Sequence, residues 1–125
     1  MASELAGRLV LLVEDEPLVA LHVEEYLTGA GARVLLAHAL LTARVHALHP
    51  ELSAAVLDHR LKAEDTSEIC TILKERQIPF VLYSGYSKVQ GDCGDGELVH
   101  KPAPPHVLVS TLAEVLREQQ RPTIN

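Results

Sequence analysis

The chain of 125 residues is 47% hydrophobic, so it is long and apolar enough for one globular domain with a buried core. Its net charge of −6 argues against DNA or RNA as a direct partner, because binding to a phosphate backbone requires a basic face. No apolar run approaches membrane-spanning length, and the N-terminus lacks the pattern of a signal peptide. We therefore predict a single cytoplasmic domain over residues 1–125, with its core at about 8–118 and a frayed tail at 119–125.

Apolar runs alternate with amphipathic segments along the chain. In chain order, the first part predicts a strand over Arg8–Val13, a helix from Pro17 to Gly29, a strand over Arg33–Ala37 and a helix over Leu40–Leu48. The second part predicts a strand over Leu52–Leu57, a polar loop over His59–Asp65, a helix over about Thr66–Arg76, strands over Pro79–Ser84 and Glu97–His100, and a last helix over Pro105–Glu118. The inward stripe of the first helix is predicted to consist of Val19, Ala20, Val23 and Leu27. This alternation predicts an α/β fold, a doubly wound five-stranded parallel sheet with helices on both faces.

The connection between Ser84 and Leu98 departs from the alternation. Parallel strands are usually joined through a helix, but this connection is rich in glycine and aspartate. Its composition supports at most about one helical turn, near Ser87–Gln90. We therefore predict that the fourth helix is shortened or absent.

The two cysteines, Cys70 and Cys93, have neither CxxC nor metal-ligand spacing. We predict that Cys70 is a buried core residue and that Cys93 lies in a loop. Both predictions suit a reducing cytoplasm.

Residues suited to handling a phosphoryl group stand at the ends of four predicted strands. They are Glu14 and Asp15 after the first strand, Asp58 after the third, Ser84 at the end of the fourth and Lys101 after the fifth. The carboxyl ends of parallel strands share one edge of the sheet, and ligands bind in the crevice there. We therefore expect three carboxylates, a hydroxyl and an ammonium to meet in one place.

Such a cluster of carboxylates predicts a metal ion. Two carboxylates about 5 Å apart repel by roughly 3 kcal/mol at an effective dielectric near 20. Three such pairs would strain a domain whose total stability is only about 5–15 kcal/mol. Lys101 offsets part of the repulsion, and a divalent cation offsets much more. Because carboxylate oxygens suit Mg²⁺ or Mn²⁺, we predict one of these ions at Glu14, Asp15 and Asp58.

Asp58 is the best candidate for a nucleophile. It follows the most apolar strand, so its backbone is expected to be rigid, and carboxylates form acyl phosphates. The cation would neutralise the incoming phosphoryl oxygens, and Lys101 and the Ser84 hydroxyl would bind the remaining ones.

These residues resemble the receiver domain of two-component response regulators, over essentially the whole chain. Glu14 with Asp15, then Asp58, Ser84 and Lys101 fall in order on the family's acid pair, phosphoacceptor, hydroxyl and lysine. The matching motifs are LLVEDEP at 11–17, AVLDHRL at 55–61, FVLYSGY at 80–86 and HKPAP at 100–104. The motif at 80–86 also resembles a branch of stand-alone bacterial receivers.

The resemblance implies a flavodoxin-like (βα)₅ fold and phosphoryl transfer to Asp58 from a histidine kinase or phosphotransfer protein. It implies that Asp15, Asp58 and the backbone carbonyl of Arg60 bind Mg²⁺ directly, whereas Glu14 acts through water. It further implies a cis Lys101–Pro102 bond. An unknown downstream protein would read the phosphorylated state, and the chain's only chemistry would be its own phosphorylation and dephosphorylation.

The sequence departs from the family pattern in three ways. Leu98 stands where the family has its switch aromatic, three residues before the lysine. The fourth helix, on which a familiar dimerisation face is built, is shortened or absent. The loop after Asp58 lacks the frequent Pro and Gly and is basic. Tyr83, next to Ser84, is a candidate replacement for the missing aromatic.

Other functions stay open at this point. A stand-alone signalling receiver is the leading interpretation, and a phosphate sink or phosphorelay intermediate is a second version of it. An Asp-based small-molecule phosphatase would use the same acyl-phosphate chemistry, but it normally has an acid two residues after the nucleophile, where this chain has Arg60. A docking module that is never phosphorylated would not require the complete set of residues.

Overall fold

Five strands form one parallel sheet. The computed structural model describes residues 4–58, 60–61, 64–85 and 91–119. The strands of the sheet are β1 (Leu9–Val13), β2 (Arg33–Ala37), β3 (Ala54–Asp58), β6 (Phe80–Ser84) and β7 (Glu97–His100). Their spatial order is β2-β1-β3-β6-β7. A separate antiparallel hairpin consists of β4 (Arg60–Leu61) and β5 (Glu64–Asp65). The α-helices of the described residues are α1 (Pro17–Gly29), α2 (Leu40–Ala47), α3 (Ser67–Glu75) and α4 (Pro105–Gln119).

Helices cover both faces of the sheet, as the apolar runs predict. Because successive residues of a strand point to opposite faces, β1 contributes to two separate cores. Val10 and Leu12 pack with α1 and α4 in what we call the α1/α4 cluster. Leu11 and Val13 pack with α2 and α3 in the α2/α3 cluster. All residues of β1 and β3 are buried, which confirms the doubly wound α/β prediction.

Several element boundaries differ from the predicted ones by one or two residues, among them those at Asp58 and at the end of α4. Asp58 is the last residue of β3 rather than the first residue after it. The hairpin of β4 and β5 lies where the sequence predicts a polar loop. Gln119 ends α4 and so is not frayed, while the predicted tail at 120–125 lies outside the described residues.

Val19 was wrongly predicted to face the core. Its side chain is 39% exposed, whereas Ala20, Val23 and Leu27 are buried as predicted. The buried stripe of α1 thus follows the i, i+3, i+7 spacing from Ala20, and Val19 stands at its border.

A short 3₁₀ helix, Gly91–Asp95, takes the place of a fourth long helix in the described part of the connection between β6 and β7. This agrees with the predicted shortening, although the turn predicted near 87–90 lies outside the described residues. The 3₁₀ helix packs on α3, where Lys74 Nζ lies 3.1 Å from Asp92 Oδ1 and 2.9 Å from Asp95 Oδ2. The Thr71 hydroxyl also donates a hydrogen bond to Asp92 Oδ2 at 2.8 Å.

The two cysteines form a disulfide, which the sequence analysis did not predict. Cys70 is a buried core residue as predicted, whereas Cys93 is buried on the 3₁₀ helix and does not lie in a loop. Cys70 on α3 and Cys93 on the 3₁₀ helix have Cα atoms 5.0 Å apart. Both residues are buried in the α2/α3 cluster. The 3₁₀ helix in the described part of the connection lies directly on α3, and this packing brings together two cysteines that stand 23 residues apart in sequence.

Across the described ranges, no helix combines the length and the apolar character that a membrane crossing requires.

Candidate functional site

The carboxyl ends of β1 and β3 bring together the predicted acids. Glu14 and Asp15 follow β1 directly, and Asp58 ends β3, the strand that pairs with β1. One carboxylate oxygen from each of the three residues lies within 4.8 Å of the others. Glu14 and Asp58 are buried and Asp15 is half-buried. The predicted acidic cluster is therefore present, and the parallel topology produces it.

Glu14 is held rigidly in this cluster. Its N–H donates to the carbonyl of Ala37 at 3.0 Å, and its Oε2 accepts a hydrogen bond from the N–H of Glu16 at 3.1 Å. Burial raises the pKa of Glu14 to about 7, and the charge of Asp58 acts in the same direction, while the Glu16 N–H and Lys101 act against it. Glu14 therefore retains a proton up to near-neutral pH when no cation is present.

Lys101 supplies the positive charge of the site. Its Nζ donates a hydrogen bond to Asp58 Oδ1 at 3.0 Å, and its backbone N–H donates to the carbonyl of Ser84 at 2.8 Å. Burial by itself would lower the pKa of Lys101, but the hydrogen bond and charge of Asp58, together with Glu14, raise it overall. The ammonium thus stays charged throughout the physiological range. The Lys101–Pro102 bond is cis, as predicted.

Ser84 lies at the same edge of the sheet as Asp58, and Arg60 is near Asp58 in sequence. Ser84 ends β6, is buried, and follows Tyr83, the register partner of Asp58. Arg60 lies two residues beyond Asp58, and its backbone belongs to the β4–β5 hairpin. The coordination of a metal by the Arg60 carbonyl stays a prediction.

Sequence reasoning missed His38 and underrated Tyr83. His38 Nδ1 lies 2.9 Å from the carbonyl oxygen of Glu14, and because that oxygen only accepts, Nδ1 carries the proton. His38 directly follows β2, and residues that follow parallel strands lie at the same edge of the sheet. Its position in the sequence could therefore have predicted that it lies near the acids. Tyr83 contacts Lys101 and the turn that follows it.

The donor set fits a hard divalent cation. Three carboxylates offer oxygen ligands within 4.8 Å of one another, which suits Mg²⁺ or Mn²⁺. Burial, together with the charge of Asp58, raises the pKa of Glu14 despite Lys101, so a bound cation would favour the ionised form of Glu14. Glu14, Asp15 and Asp58 are therefore the side chains that would hold such an ion.

The chain resembles known proteins in sequence and in fold. No protein-family model matches the chain. Over 123 residues the chain is 28% identical to the transcriptional regulatory protein GltR of Pseudomonas aeruginosa, a match that covers 91% of the chain. The chain spans about half the length of this curated relative, because the match covers 51% of it.

Solved structures of receiver domains superpose on most of the chain. The non-phosphorylated HemR receiver domain from Leptospira biflexa has a TM-score of 0.79 at 24% identity, and covers 94% of this chain and 99% of its own. A CheY-like receiver domain protein from Methanospirillum hungatei has a TM-score of 0.78 at 20% identity, and covers 90% of this chain and 96% of its own. The chemotaxis response regulator CheY4 of Vibrio cholerae has a TM-score of 0.74 at 20% identity, and covers 86% and 98%. The chain therefore has the fold of the response regulator receiver domains.

Proposed function

We propose that this chain accepts a phosphoryl group on Asp58 from the phosphohistidine of a histidine kinase or phosphotransfer protein. The observation that carries the proposal is the convergence of Glu14, Asp15 and Asp58 within 4.8 Å, with Lys101 Nζ at 3.0 Å from Asp58. An isolated aspartate at a strand end commonly serves as a turn or cap residue. Asp58 is instead a buried aspartate beside two further acids and an ammonium, the set of groups that an aspartyl phosphate and its cation require.

The residues support one transfer step. An oxygen of the Asp58 carboxylate attacks phosphorus, an O–P bond forms, and the P–N bond to the histidine ring breaks. The ring nitrogen keeps the electron pair and takes up a proton from solvent. A divalent cation, when bound, neutralises charge on the phosphoryl oxygens. Lys101 offers a second positive charge, and Ser84 a hydroxyl donor, to the oxygens that remain.

Signalling through a protein partner belongs to the same proposal. A phosphoryl group on Asp58 adds negative charge and would draw Lys101 Nζ from the carboxylate to the new oxygens. An unknown downstream protein would bind one of the two states more tightly. We also propose a cytoplasmic location, where thiol reductants would open the disulfide Cys70–Cys93. Proteins, rather than DNA or a membrane, would be the direct partners of this chain.

Intact-protein mass spectrometry tests the proposal. The chain is incubated with acetyl phosphate, with and without Mg²⁺, as the wild type, as Asp58→Asn and as Asp95→Asn. Asp95 is an exposed aspartate outside the acidic cluster and serves as the matched control. We expect one Mg²⁺-dependent phosphoryl adduct in the wild type and in Asp95→Asn, and none in Asp58→Asn. An adduct on Asp58→Asn, or none on the wild type, would contradict the assignment.

The proposed chemistry is confined to the chain's own aspartate. We expect no turnover of p-nitrophenyl phosphate, because position 60, where Asp-based phosphatases carry their second acid, holds an arginine. Multiple turnover that is lost in Asp58→Asn would instead favour a phosphatase.

A further inference from the structure

Tyr83 bridges the site and the turn that follows Lys101. It is the register partner of Asp58 in the β3–β6 pair and stands one residue before Ser84. Its ring centroid lies 5.1 Å from Lys101 Nζ, within the range of a cation–π contact. The Lys101 ammonium therefore contacts both the Asp58 carboxylate and the Tyr83 ring.

The hydroxyl of Tyr83 fixes the far end of the same turn. It donates a hydrogen bond to the carbonyl of Ala103 at 3.2 Å and accepts one from the Ala103 N–H at 3.3 Å. The side chain thus contacts the first and the third residue of the Lys101–Ala103 turn. A lysine has a long, flexible stem, and fixing its head group requires contacts of this kind.

Tyr83 and Leu98 face opposite sides of the sheet. Leu98, at the position of the family's switch aromatic, packs against the α2/α3 cluster. Tyr83 packs against the α1/α4 cluster and lines a groove of about 330 Å³ between α1 and the start of α4. Ala103 and Pro105 line the same groove. Tyr83 therefore cannot repeat the movement of an aromatic at position 98, because its surroundings lie on the other face.

We propose that Tyr83 is a positioning residue for Lys101, and that it transmits the displacement of Lys101 to the groove between α1 and α4. The inference rests on the proposed function. The ring holds the ammonium beside Asp58 before phosphorylation. When the ammonium turns to the phosphoryl oxygens, its contact with the ring changes. The ring and the turn bonded to its hydroxyl shift, and the groove changes shape.

Two substitutions at position 83 test the contributions of the ring and of the hydroxyl separately. Tyr83→Leu removes the ring, whereas Tyr83→Phe keeps the ring and removes both hydrogen bonds to Ala103. Tyr26→Leu is the matched control, because Tyr26 is an exposed tyrosine on α1. In Mg²⁺ and acetyl phosphate we expect Tyr83→Leu to lower the rate of Asp58 phosphorylation by about tenfold, from loss of a partly desolvated cation–π contact. Tyr83→Phe and Tyr26→Leu should stay within about twofold of the wild type, since both keep that contact.

A double-mutant cycle with Lys101→Met excludes a merely structural role. If Tyr83 acts through Lys101, Tyr83→Leu lowers the rate in the wild type but has no further effect in Lys101→Met. An equal fold-loss in both backgrounds would overturn the positioning role. The result does not depend on Tyr83→Leu being as stable as the wild type, because the same exchange is compared in both backgrounds.

Amide chemical shifts test the transmission to the groove. Beryllofluoride, a phosphoryl mimic, is added to the wild type and to Tyr83→Phe. We expect both proteins to show shifts around Asp58, but only the wild type to show the full shift at the Ala103 amide. An equal Ala103 shift in Tyr83→Phe would overturn the transmission. If the wild type shows neither a phosphoryl adduct nor amide shifts, the proposed function is overturned, and this inference with it. If the wild type shows both, but the Tyr83 variants match it in phosphorylation rate and in the Ala103 shift, the inference alone is overturned.

Discussion

Glu14 is buried beside another carboxylate, and this combination makes the metal-free site sensitive to pH. In the unfolded chain Glu14 ionises around its ordinary pKa of 4.5, but in the folded protein it keeps its proton up to a pKa of about 7. Between these values the folded state binds more protons than the unfolded state. The free energy of unfolding therefore falls as pH rises through this window, and the loss is complete above it.

Urea unfolding at a series of pH values, with a chelator present to remove metal ions, measures this effect directly. We expect the ionisation of Glu14 to lower the free energy of unfolding by about 3 kcal/mol as pH rises from 4.5 to about 7. In Glu14→Gln this contribution is absent, because an amide does not ionise. Glu25→Gln, an exchange at an exposed residue of α1, should follow the wild-type curve. Identical pH profiles for the wild type and Glu14→Gln would contradict the raised pKa.

At the scale of elements, the 3₁₀ helix depends on its covalent attachment to α3. The disulfide Cys70–Cys93 closes a loop of 23 residues, and such a cross-link stabilises a fold mainly by restricting the unfolded chain. The ion pairs of Lys74 at the same contact lie at the surface, where salt bridges contribute little. We therefore assign most of the stability of this contact to the disulfide.

Exchange of one cysteine measures this contribution. In oxidising buffer we expect Cys93→Ser to lower the free energy of unfolding by about 3 kcal/mol, the chain-entropy value for a loop of this length. With dithiothreitol present, most of the difference between wild type and variant should vanish, since the wild type then also lacks the cross-link. A difference of the same size in both buffers would show that packing of the Cys93 side chain, and not the bond, is what stabilises the contact.

Gly96 joins the 3₁₀ helix to β7 at a point with no room for a side chain. A Cβ atom here would overlap the ring of Phe80 and lie 3.0 Å from the Phe80 carbonyl oxygen. We expect Gly96→Ala to lower the free energy of unfolding by about 1–3 kcal/mol, because β7 or the Phe80 ring must move. Gly29→Ala is the matched control, since a Cβ at Gly29 meets nothing within 4 Å. Equal stability of the two variants would contradict the close packing of β7 on Phe80.

For the molecule as a whole, the sequence predicts the site better than it predicts the irregular connections. Glu14, Asp58 and Lys101 converge because each follows or ends a strand, and the topology of a parallel sheet then fixes their neighbours. The partner of Cys93 depends instead on how a glycine-rich segment packs on α3, which no periodicity encodes. The direction in which Tyr83 points required the register of β6 as well.

The charge balance of the whole molecule gives the last prediction. The net charge is −6, and three of the acids lie within 4.8 Å of one another around one lysine, so a bound cation should stabilise the fold far more than it would elsewhere on the surface. We expect Mg²⁺ at about 100 times its dissociation constant to raise the free energy of unfolding by about 2.7 kcal/mol, the value for a ligand that binds only the folded state. At a fixed Mg²⁺ concentration the gain should be larger above a pH of about 7, because Glu14 is then ionised and the dissociation constant is lower. In Asp15→Asn the gain should be mostly lost, whereas Asp95→Asn should keep it. Equal stabilisation of both variants in urea titrations would mean that Mg²⁺ screens the overall negative charge and does not bind at the acidic cluster.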